Sequence, residues 1–159
     1  MHEGSVADAI YRYKFQNKRS YAQIFARELA KVYGEQIKKW GIQAIIPVPL
    51  HKKRRRKRGF NQAELLAAIL AEETKIPLET NALFRIRETT HQKKLGHHGR
   101  IWNLYNAFAV SGSWIPAENV LLIDDIYTTG STMNKCAKML KKAGVQKVYF
   151  LTISIGQGL

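Results

Sequence analysis

The sequence predicts an α/β fold, with a mainly parallel sheet covered by helices, and three observations lead to it. Apolar residues recur at helical spacing between Tyr21 and Trp40. A short apolar run at 42–48 is followed by a second stretch of helical spacing. Near the C-terminal end the pattern is strand, helix, strand, which is one βαβ unit. Strands that alternate with helices are typical of parallel sheets, whose ligands bind at the carboxyl ends of the strands.

The N-terminal half supplies a helix, a strand and a second helix. The run from Ile42 to Val48 predicts a buried strand, which prolines close. From Asn61 to Ala71 the apolar residues return to helical spacing, and Asn61 is a suitable cap for that helix. The first helix carries its apolar side chains at three- and four-residue steps, at Tyr21, Ile24, Phe25, Leu29, Val32, Tyr33 and Ile37.

The C-terminal half supplies the βαβ unit, after a polar and interrupted middle. Between 74 and 113 only the stretch 107–110 has the pattern of a strand. A strand is then predicted at 120–123, followed by a polar turn and a helix that stops at Gly144. The last strand is predicted at 147–154, because apolar residues are concentrated there.

Length and charge limit the organisation and the partners. A chain of 159 residues that is 45% apolar can bury one sizeable core, so we expect one domain over residues 1–159. Lysine and arginine number 26 against 12 acids, and the net charge of +14 attracts polyanions. Nucleic acid is the leading class of partner, although an acidic membrane surface or a small phosphorylated ligand would also respond to this charge.

Cysteine content and hydropathy indicate the compartment. The single cysteine, Cys136, excludes an internal disulfide framework and a four-cysteine zinc module, so we expect no zinc in this chain. The first residues lack the apolar stretch of a secretory signal, and the longest apolar runs are too short to cross a bilayer. We therefore expect a cytoplasmic protein without membrane insertion.

An acidic pair followed by small hydroxyl residues predicts the ligand. Asp124 and Asp125 end the predicted strand and could accept hydrogen bonds from two vicinal ribose hydroxyls. The five residues of the next loop offer hydroxyls, an unhindered backbone and a helix N-terminus, which together suit a phosphate: Thr128, Thr129, Gly130, Ser131 and Thr132. The spacing predicts a site for a phosphorylated ribose of the phosphoribosyl pyrophosphate kind. The alternative is an exposed turn in which a hydroxyl merely caps the helix.

A run of seven cations follows the first predicted strand: Lys52, Lys53, Arg54, Arg55, Arg56, Lys57 and Arg58. The run leaves the carboxyl edge of the sheet, so it can contact either the pyrophosphate of a ligand or a nucleic-acid backbone. The alternative is a solvated loop without a partner. Aromatic residues near other cations are either core residues or platforms for stacking bases of single-stranded DNA: Tyr11, Tyr13, Phe15, Phe60, Trp102, Tyr105 and Tyr127.

Other residues of chemical interest carry weaker signals. The adjacent histidines of the middle region, His91, His97 and His98, lack the spacing of a metal site. Cys136 shares a helix face with apolar residues and is expected to be a core residue rather than a nucleophile. Arg85 could reach a phosphate or lie on a surface, and the pattern leaves both open.

Two sets of motifs resemble known families. Residues 120–132 are similar to the phosphoribosyl pyrophosphate motif of type I phosphoribosyltransferases. Residues 47–51 and 58–62 resemble the ComF competence-protein family, which includes GntX-type proteins, and a third element agrees in its spacing: Gln92, Leu95, Arg100, Asn103 and Phe108. Many ComF relatives carry an N-terminal four-cysteine zinc finger that these residues cannot form, so we expect a shortened chain or a variant without that module.

The resemblance implies a fold and a set of roles. It implies a type I phosphoribosyltransferase-like fold with a flexible hood region. Asp124 and Asp125 would contact the ribose hydroxyls, and the loop from Thr128 to Thr132 would wrap the 5-phosphate. Mg²⁺ would bridge the pyrophosphate and the sugar, close to the two aspartates.

The sequence leaves three functions open. The first is a competence protein that binds phosphoribosyl pyrophosphate with Mg²⁺ and single-stranded DNA during natural transformation, with other competence proteins as candidate partners. The second is an active phosphoribosyltransferase with an unknown acceptor. The third is a ligand-sensing domain that controls a partner protein. No residue of the sequence identifies an acceptor or a general acid, so the catalytic residues are unknown.

Overall fold

A computed structural model describes residues 20–50, 56–57, 59–86, 108–127 and 129–155. The helices and strands with defined bounds are, in chain order, α1 (Ser20–Lys39), β1 (Ala44–Pro47), α2 (Gln62–Thr74), β2 (Leu83–Arg85), β3 (Phe108–Val110), β4 (Asn119–Tyr127), α3 (Ser131–Ala143) and β5 (Lys147–Ile155). The prediction of one domain over residues 1–159 stays a prediction, because the structure describes only part of the chain.

The central sheet is parallel, as the sequence predicts. Its described strands lie in the order β1-β4-β5, and Ala44 pairs with Val120 while Asn119 pairs with Lys147. A bridge between Ile45 and Leu78 lies on the other side of β1. Strands β2 and β3 form a separate antiparallel pair. Strand β4 is therefore a central strand, covered on both edges.

Apolar side chains from the two faces of the sheet enter two buried clusters. Consecutive strand residues point to opposite faces, so one strand supplies both clusters. The first cluster joins α1 and α2 to one face, through Ile45, Leu121, Ile123 and Leu151. The second joins α3 and the β2–β3 pair to the other face, through Ala44, Ile46, Val120, Leu122 and Phe108. Helices thus cover the sheet on both sides, which confirms the predicted fold class.

The main departures from the predicted elements concern strands. Strand β4 continues past Ile123 to Tyr127, because its pairing with β5 continues through Asp124 and Ile126. The first part of the predicted polar turn, residues 124–127, is therefore strand. Strand β2 had no counterpart in the prediction, since its partner β3 lies beyond residues 86–107 and three residues of mixed polarity give no local signal. The stop at Gly144 is confirmed by its left-handed backbone, with φ of 118°.

In the part of the chain that the structure describes, no helix combines the length and the apolar character needed to span a bilayer.

Candidate functional site

Two connections leave adjacent strands at one edge of the sheet. Strands β1 and β4 are parallel neighbours, with Pro47 opposite Ile123. The Val48 N–H donates to the Ile123 carbonyl at 2.8 Å. The segment that contains the basic run and the segment that contains the phosphate loop therefore start side by side. This confirms the expectation that both leave the same edge.

The acidic pair lies within β4. Asp124 and Asp125 are both half-buried, and the Asp125 N–H donates to Asp124 Oδ1 at 2.8 Å. Asp124 follows Leu122 by two residues, on the face of the sheet that α3 covers. The two carboxylates are thus held by a paired strand and are accessible in part. The alternative of an exposed turn does not fit this position.

The phosphate loop depends on one glycine. Gly130 has φ of 71°, in the left-handed region that favours glycine. A Cβ atom at Gly130 would lie 2.6 Å from the hydroxyl oxygen of Tyr127, so any other residue would require the loop or the Tyr127 ring to shift. Thr129 is exposed beside it, and Thr128 lies outside the described residues. The loop therefore turns tightly against Tyr127 before α3 begins.

Helix α3 begins without a side-chain cap. Gly130 occupies the N-cap position and makes no side-chain hydrogen bond, and its carbonyl accepts from the Asn134 N–H at 2.8 Å. The Ser131 N–H makes a long bond of 3.4 Å to Thr129 Oγ1. Ser131 and Thr132 are exposed, so the first turn of α3 is open to solvent. Such a helix N-terminus attracts an anion such as a phosphate.

The basic run is described only in part. Arg56 and Lys57 are exposed, while Lys52, Lys53, Arg54, Arg55 and Arg58 lie outside the described residues. The predicted contacts of those five cations with pyrophosphate or DNA stay predictions.

The structure assigns Asn61 a larger role than the cap predicted for it. The Ala63 N–H donates to Asn61 Oδ1 at 3.1 Å, which confirms the cap of α2. The Asn61 side-chain amide also donates to the Val48 carbonyl at 3.1 Å. Asn61 therefore ties the end of β1 to the start of α2 and closes the base of the segment that carries the basic run. A sequence signal for this second bond does not exist, since thirteen residues separate the partners.

Cys136 lies on the buried face of α3, in the core of the protein, as predicted. Burial, and after it the negative charge of Asp124, raise the pKa of its thiol to about 12, and the positive charge of Arg85 opposes them. A protonated, buried thiol is a poor nucleophile. Arg85 also stacks over the Phe108 ring, 5.5 Å from its centroid. Strand β2 therefore brings Arg85 towards the acidic end of β4. The sequence had left open whether Arg85 reaches a phosphate or lies on a surface.

The site offers few protein ligands for a metal. Among the described residues, no three histidine, cysteine or acidic side chains come together as a metal site. His91, His97 and His98 lie outside those residues. The carboxylates of Asp124 and Asp125 are the hard oxygen ligands that Mg²⁺ accepts, and Mg²⁺ commonly completes its shell with water and phosphate oxygens. The donor set fits Mg²⁺ that arrives with a phosphorylated ligand.

Comparison with known proteins gives a consistent set of similarities. The phosphoribosyl transferase domain model matches residues 56–154. Competence protein F of Haemophilus influenzae is 40% identical over 144 residues, covering 87% of this chain and 63% of that protein. Competence protein ComFC of Streptococcus pneumoniae is 34% identical, covering 91% and 60%. DNA utilization protein YhgH of Salmonella typhimurium is 31% identical, covering 87% and 62%. The chain thus spans somewhat less than two thirds of these relatives.

Two solved structures share the fold at low identity. Orotate phosphoribosyltransferase from Aeropyrum pernix matches with a TM-score of 0.51 and 16% identity, over 90% of this chain and 75% of that one. The UMP synthase of Leishmania donovani matches with a TM-score of 0.50 and 18% identity, over 87% of this chain and 28% of that one. These matches confirm the type I phosphoribosyltransferase-like fold.

Proposed function

Since this chain belongs to the phosphoribosyl transferase domain family and is similar to ComF competence proteins over most of its length, we propose that it binds phosphoribosyl pyrophosphate and single-stranded DNA. The binding would serve DNA uptake and integration during natural transformation. One observation carries the sugar-phosphate part: a half-buried acidic pair lies near the end of β4, and α3, which follows that strand, begins without a side-chain cap.

The chemistry of the two parts matches one ligand. Asp124 and Asp125 accept hydrogen bonds from the 2- and 3-hydroxyls of the ribose. The N–H groups and hydroxyls from Thr129 to Thr132 donate to the 5-phosphate. Mg²⁺ would be held close to the two aspartates and would neutralise the pyrophosphate charge. Thr128 is assigned to the same loop by its place in the sequence.

The DNA part rests on charge. The net charge of +14 attracts any polyanion, and in sequence the cations from Lys52 to Arg58 follow β1, the strand that pairs with β4. Arg56 and Lys57 are exposed and available for phosphate contacts. Affinity for single-stranded DNA is expected to fall steeply with salt, and a flat response would remove the polyanion interpretation. Other competence proteins are candidate partners in the same process.

Replacing both carboxylates tests the sugar-phosphate site. The double variant Asp124→Asn, Asp125→Asn keeps the side-chain volume and removes both anionic acceptors. Two hydrogen bonds to charged groups contribute about 1.5–3 kcal/mol each, so we expect the affinity for phosphoribosyl pyrophosphate with Mg²⁺ to fall at least about a hundredfold. Isothermal titration calorimetry measures it. The control Glu79→Gln, Glu118→Gln removes two carboxylates outside the site, and unchanged affinity in the Asp124 and Asp125 variant contradicts the proposal.

Phosphoribosyl transfer is a second candidate, favoured by the phosphoribosyl transferase domain match over residues 56–154. Fold and family do not by themselves supply a reaction. An active enzyme would release pyrophosphate from phosphoribosyl pyrophosphate and Mg²⁺ only when an acceptor base is present. A panel of bases with a pyrophosphate assay separates transfer from binding alone.

A further inference from the structure

Helix α3 presents a face of lysines. It carries four lysines and no acidic residue over thirteen positions, and Lys138, Lys141 and Lys142 are exposed. At about 100° per residue, Lys135, Lys138 and Lys142 fall within about 60° of one another around the helix. This row lies on the side opposite Met133, Cys136 and Leu140, which are buried. We call these three lysines the lysine row.

Three of the four lysines of α3 form no ion pair with a described residue. No acidic side chain lies within 4 Å of Lys135, Lys141 or Lys142 among the described residues, and the ion pair between Arg27 and Glu73 lies on the opposite face of the sheet. The apolar face of α3 is occupied by the core. Because its apolar face is buried, α3 has no apolar surface to insert into a bilayer. The positive charge of the helix therefore favours a soluble polyanion over a lipid surface as its partner.

An exposed aromatic ring lies on the face of the sheet that α3 covers. Phe150 of β5 is 51% exposed, and Val148, two residues earlier, packs into the cluster that contains α3. The Phe150 ring stacks on Tyr127 with a centroid distance of 5.9 Å and an interplanar angle of 4°. Among the described strands, β5 is bordered only by β4. Phe150 is thus a ring supported from one side by Tyr127 and open to solvent over half its area.

We infer that a single strand of nucleic acid binds along this face, with phosphates on the lysine row and a base stacked on Phe150. Cationic side chains beside an open aromatic ring are the combination that holds unpaired strands. A duplex does not fit as well, because its base faces are covered by stacking. The inference rests on the proposed DNA binding and moves a principal contact from the basic run after β1 to α3 and β5.

The position of this face connects it to the sugar-phosphate site. The same helix offers its N-terminus to the 5-phosphate and its lysine row to the strand, and Tyr127 contacts both the Gly130 turn and Phe150. From Lys135 to Lys142 the helix rises about 10 Å, a length that a few nucleotides of extended strand can follow. The two ligands would therefore lie on adjoining parts of one surface.

A charge-matched pair of variants tests the lysine row. Lys138→Gln with Lys142→Gln removes two charges from α3, and Lys31→Gln with Lys38→Gln removes two from α1 on the opposite face. Fluorescence anisotropy with a labelled oligothymidylate over a range of salt concentrations measures both. We expect about tenfold weaker binding for the α3 variant and a salt dependence shallower by about 1.4 in the log–log slope. The α1 variant should match the wild type, and equal losses in both variants would overturn the inference.

A second pair tests the aromatic platform. Phe150→Leu keeps an apolar side chain without a stacking surface, while Phe150→Trp enlarges that surface. We expect about tenfold weaker binding for leucine and no loss for tryptophan, because stacking of one base supplies that order of affinity. An abasic strand of equal length should bind the wild type and Phe150→Leu equally. If the abasic strand also distinguishes them, Phe150 does not stack on a base and the inference fails.

Failure of this inference is distinguishable from failure of the proposed function. If the wild-type protein binds no single-stranded DNA, both the inference and the proposed DNA binding are contradicted. A wild-type protein that binds DNA, with full affinity retained in the α3 and Phe150 variants, removes only the assignment to this face. Calorimetry with phosphoribosyl pyrophosphate and Mg²⁺ should give wild-type affinity for every variant, which shows that the fold is intact. The inference would also be contradicted if anionic vesicles or an acidic peptide bound with the same dependence on the lysine row and on Phe150.

Discussion

The connections after β1 and β4 start from adjacent strands at the same edge, and the helices that follow them begin in different ways. Helix α2 begins with Asn61, whose side chain accepts from the Ala63 N–H. Helix α3 begins with Gly130, which offers no side chain. In the first case the cap residue satisfies an N–H group of the helix. In the second the cap residue satisfies none, and apart from the long bond from the Ser131 N–H to Thr129 Oγ1 the first turn is open to water or to an anion.

Burial follows the same division. Asn61 is 8% exposed and Gln62 is 2% exposed, so the start of α2 belongs to the core. Ser131 and Thr132 are exposed at the start of α3. Two helix N-termini at one edge thus serve different purposes: the capped one supports the fold, and the uncapped one is suited to a ligand. Three substitutions can break or sharpen this comparison.

Gly130→Ala should have the largest effect. The added Cβ requires a left-handed backbone from alanine and meets Tyr127 at 2.6 Å, so the loop must move. Displacement of the N–H groups that face the phosphate should weaken phosphoribosyl pyrophosphate binding about a hundredfold, or about 2.7 kcal/mol, as calorimetry would measure. Gly112→Ala is the control, since no atom lies within 4 Å of a Cβ there. Equal affinities for both variants would mean that this turn does not shape the ligand site.

Asn61→Ala should affect stability and leave the ligand affinity within about twofold. It removes the cap of α2 and leaves the buried Val48 carbonyl without its donor, at a cost of about 2 kcal/mol in the free energy of unfolding. Chemical denaturation measures the stability and calorimetry the affinity. Asn61→Asp keeps the cap acceptor but places a buried carboxylate against the Val48 carbonyl oxygen, so it should not restore the lost stability. A large loss of affinity in a folded Asn61→Ala protein would show that the two connections are not functionally separate.

Cys136 gives a smaller, pH-dependent effect that marks the buried face of α3. The thiol pKa rises from 9.0 to about 12 on folding, so below pH 9 the proton is bound in both states. Between pH 9 and 12 the unfolded chain loses this proton while the folded chain keeps it. The free energy of unfolding should therefore fall with rising pH, by about 1 kcal/mol per unit. Cys136→Ala lacks this contribution, and a stability difference from the wild type that stays constant from pH 8 to 11 would refute it.

Local sequence patterns predicted much of the fold. The three helices follow from apolar spacing and from the signals at Asn61 and Gly144, because helix formation depends on residues close in sequence. Strand β2 was missed because its only described partner is distant along the chain. The continuation of β4 through Asp124 and Asp125 was missed because pairing with β5 outweighs the low strand preference of aspartate.

The sequence by itself determined the acidic motif, the basic run and the order of the three helices and of the strands of the parallel sheet, since each is written in consecutive residues. Only the tertiary structure decided which groups meet at the edge of the sheet: the bond from Asn61 to Val48, the Tyr127 ring against Gly130, and Arg85 over Phe108. It also placed Phe150 on the face of the sheet that α3 covers. These contacts join residues far apart in the chain, and their geometry depends on strand register and packing, which no local pattern encodes.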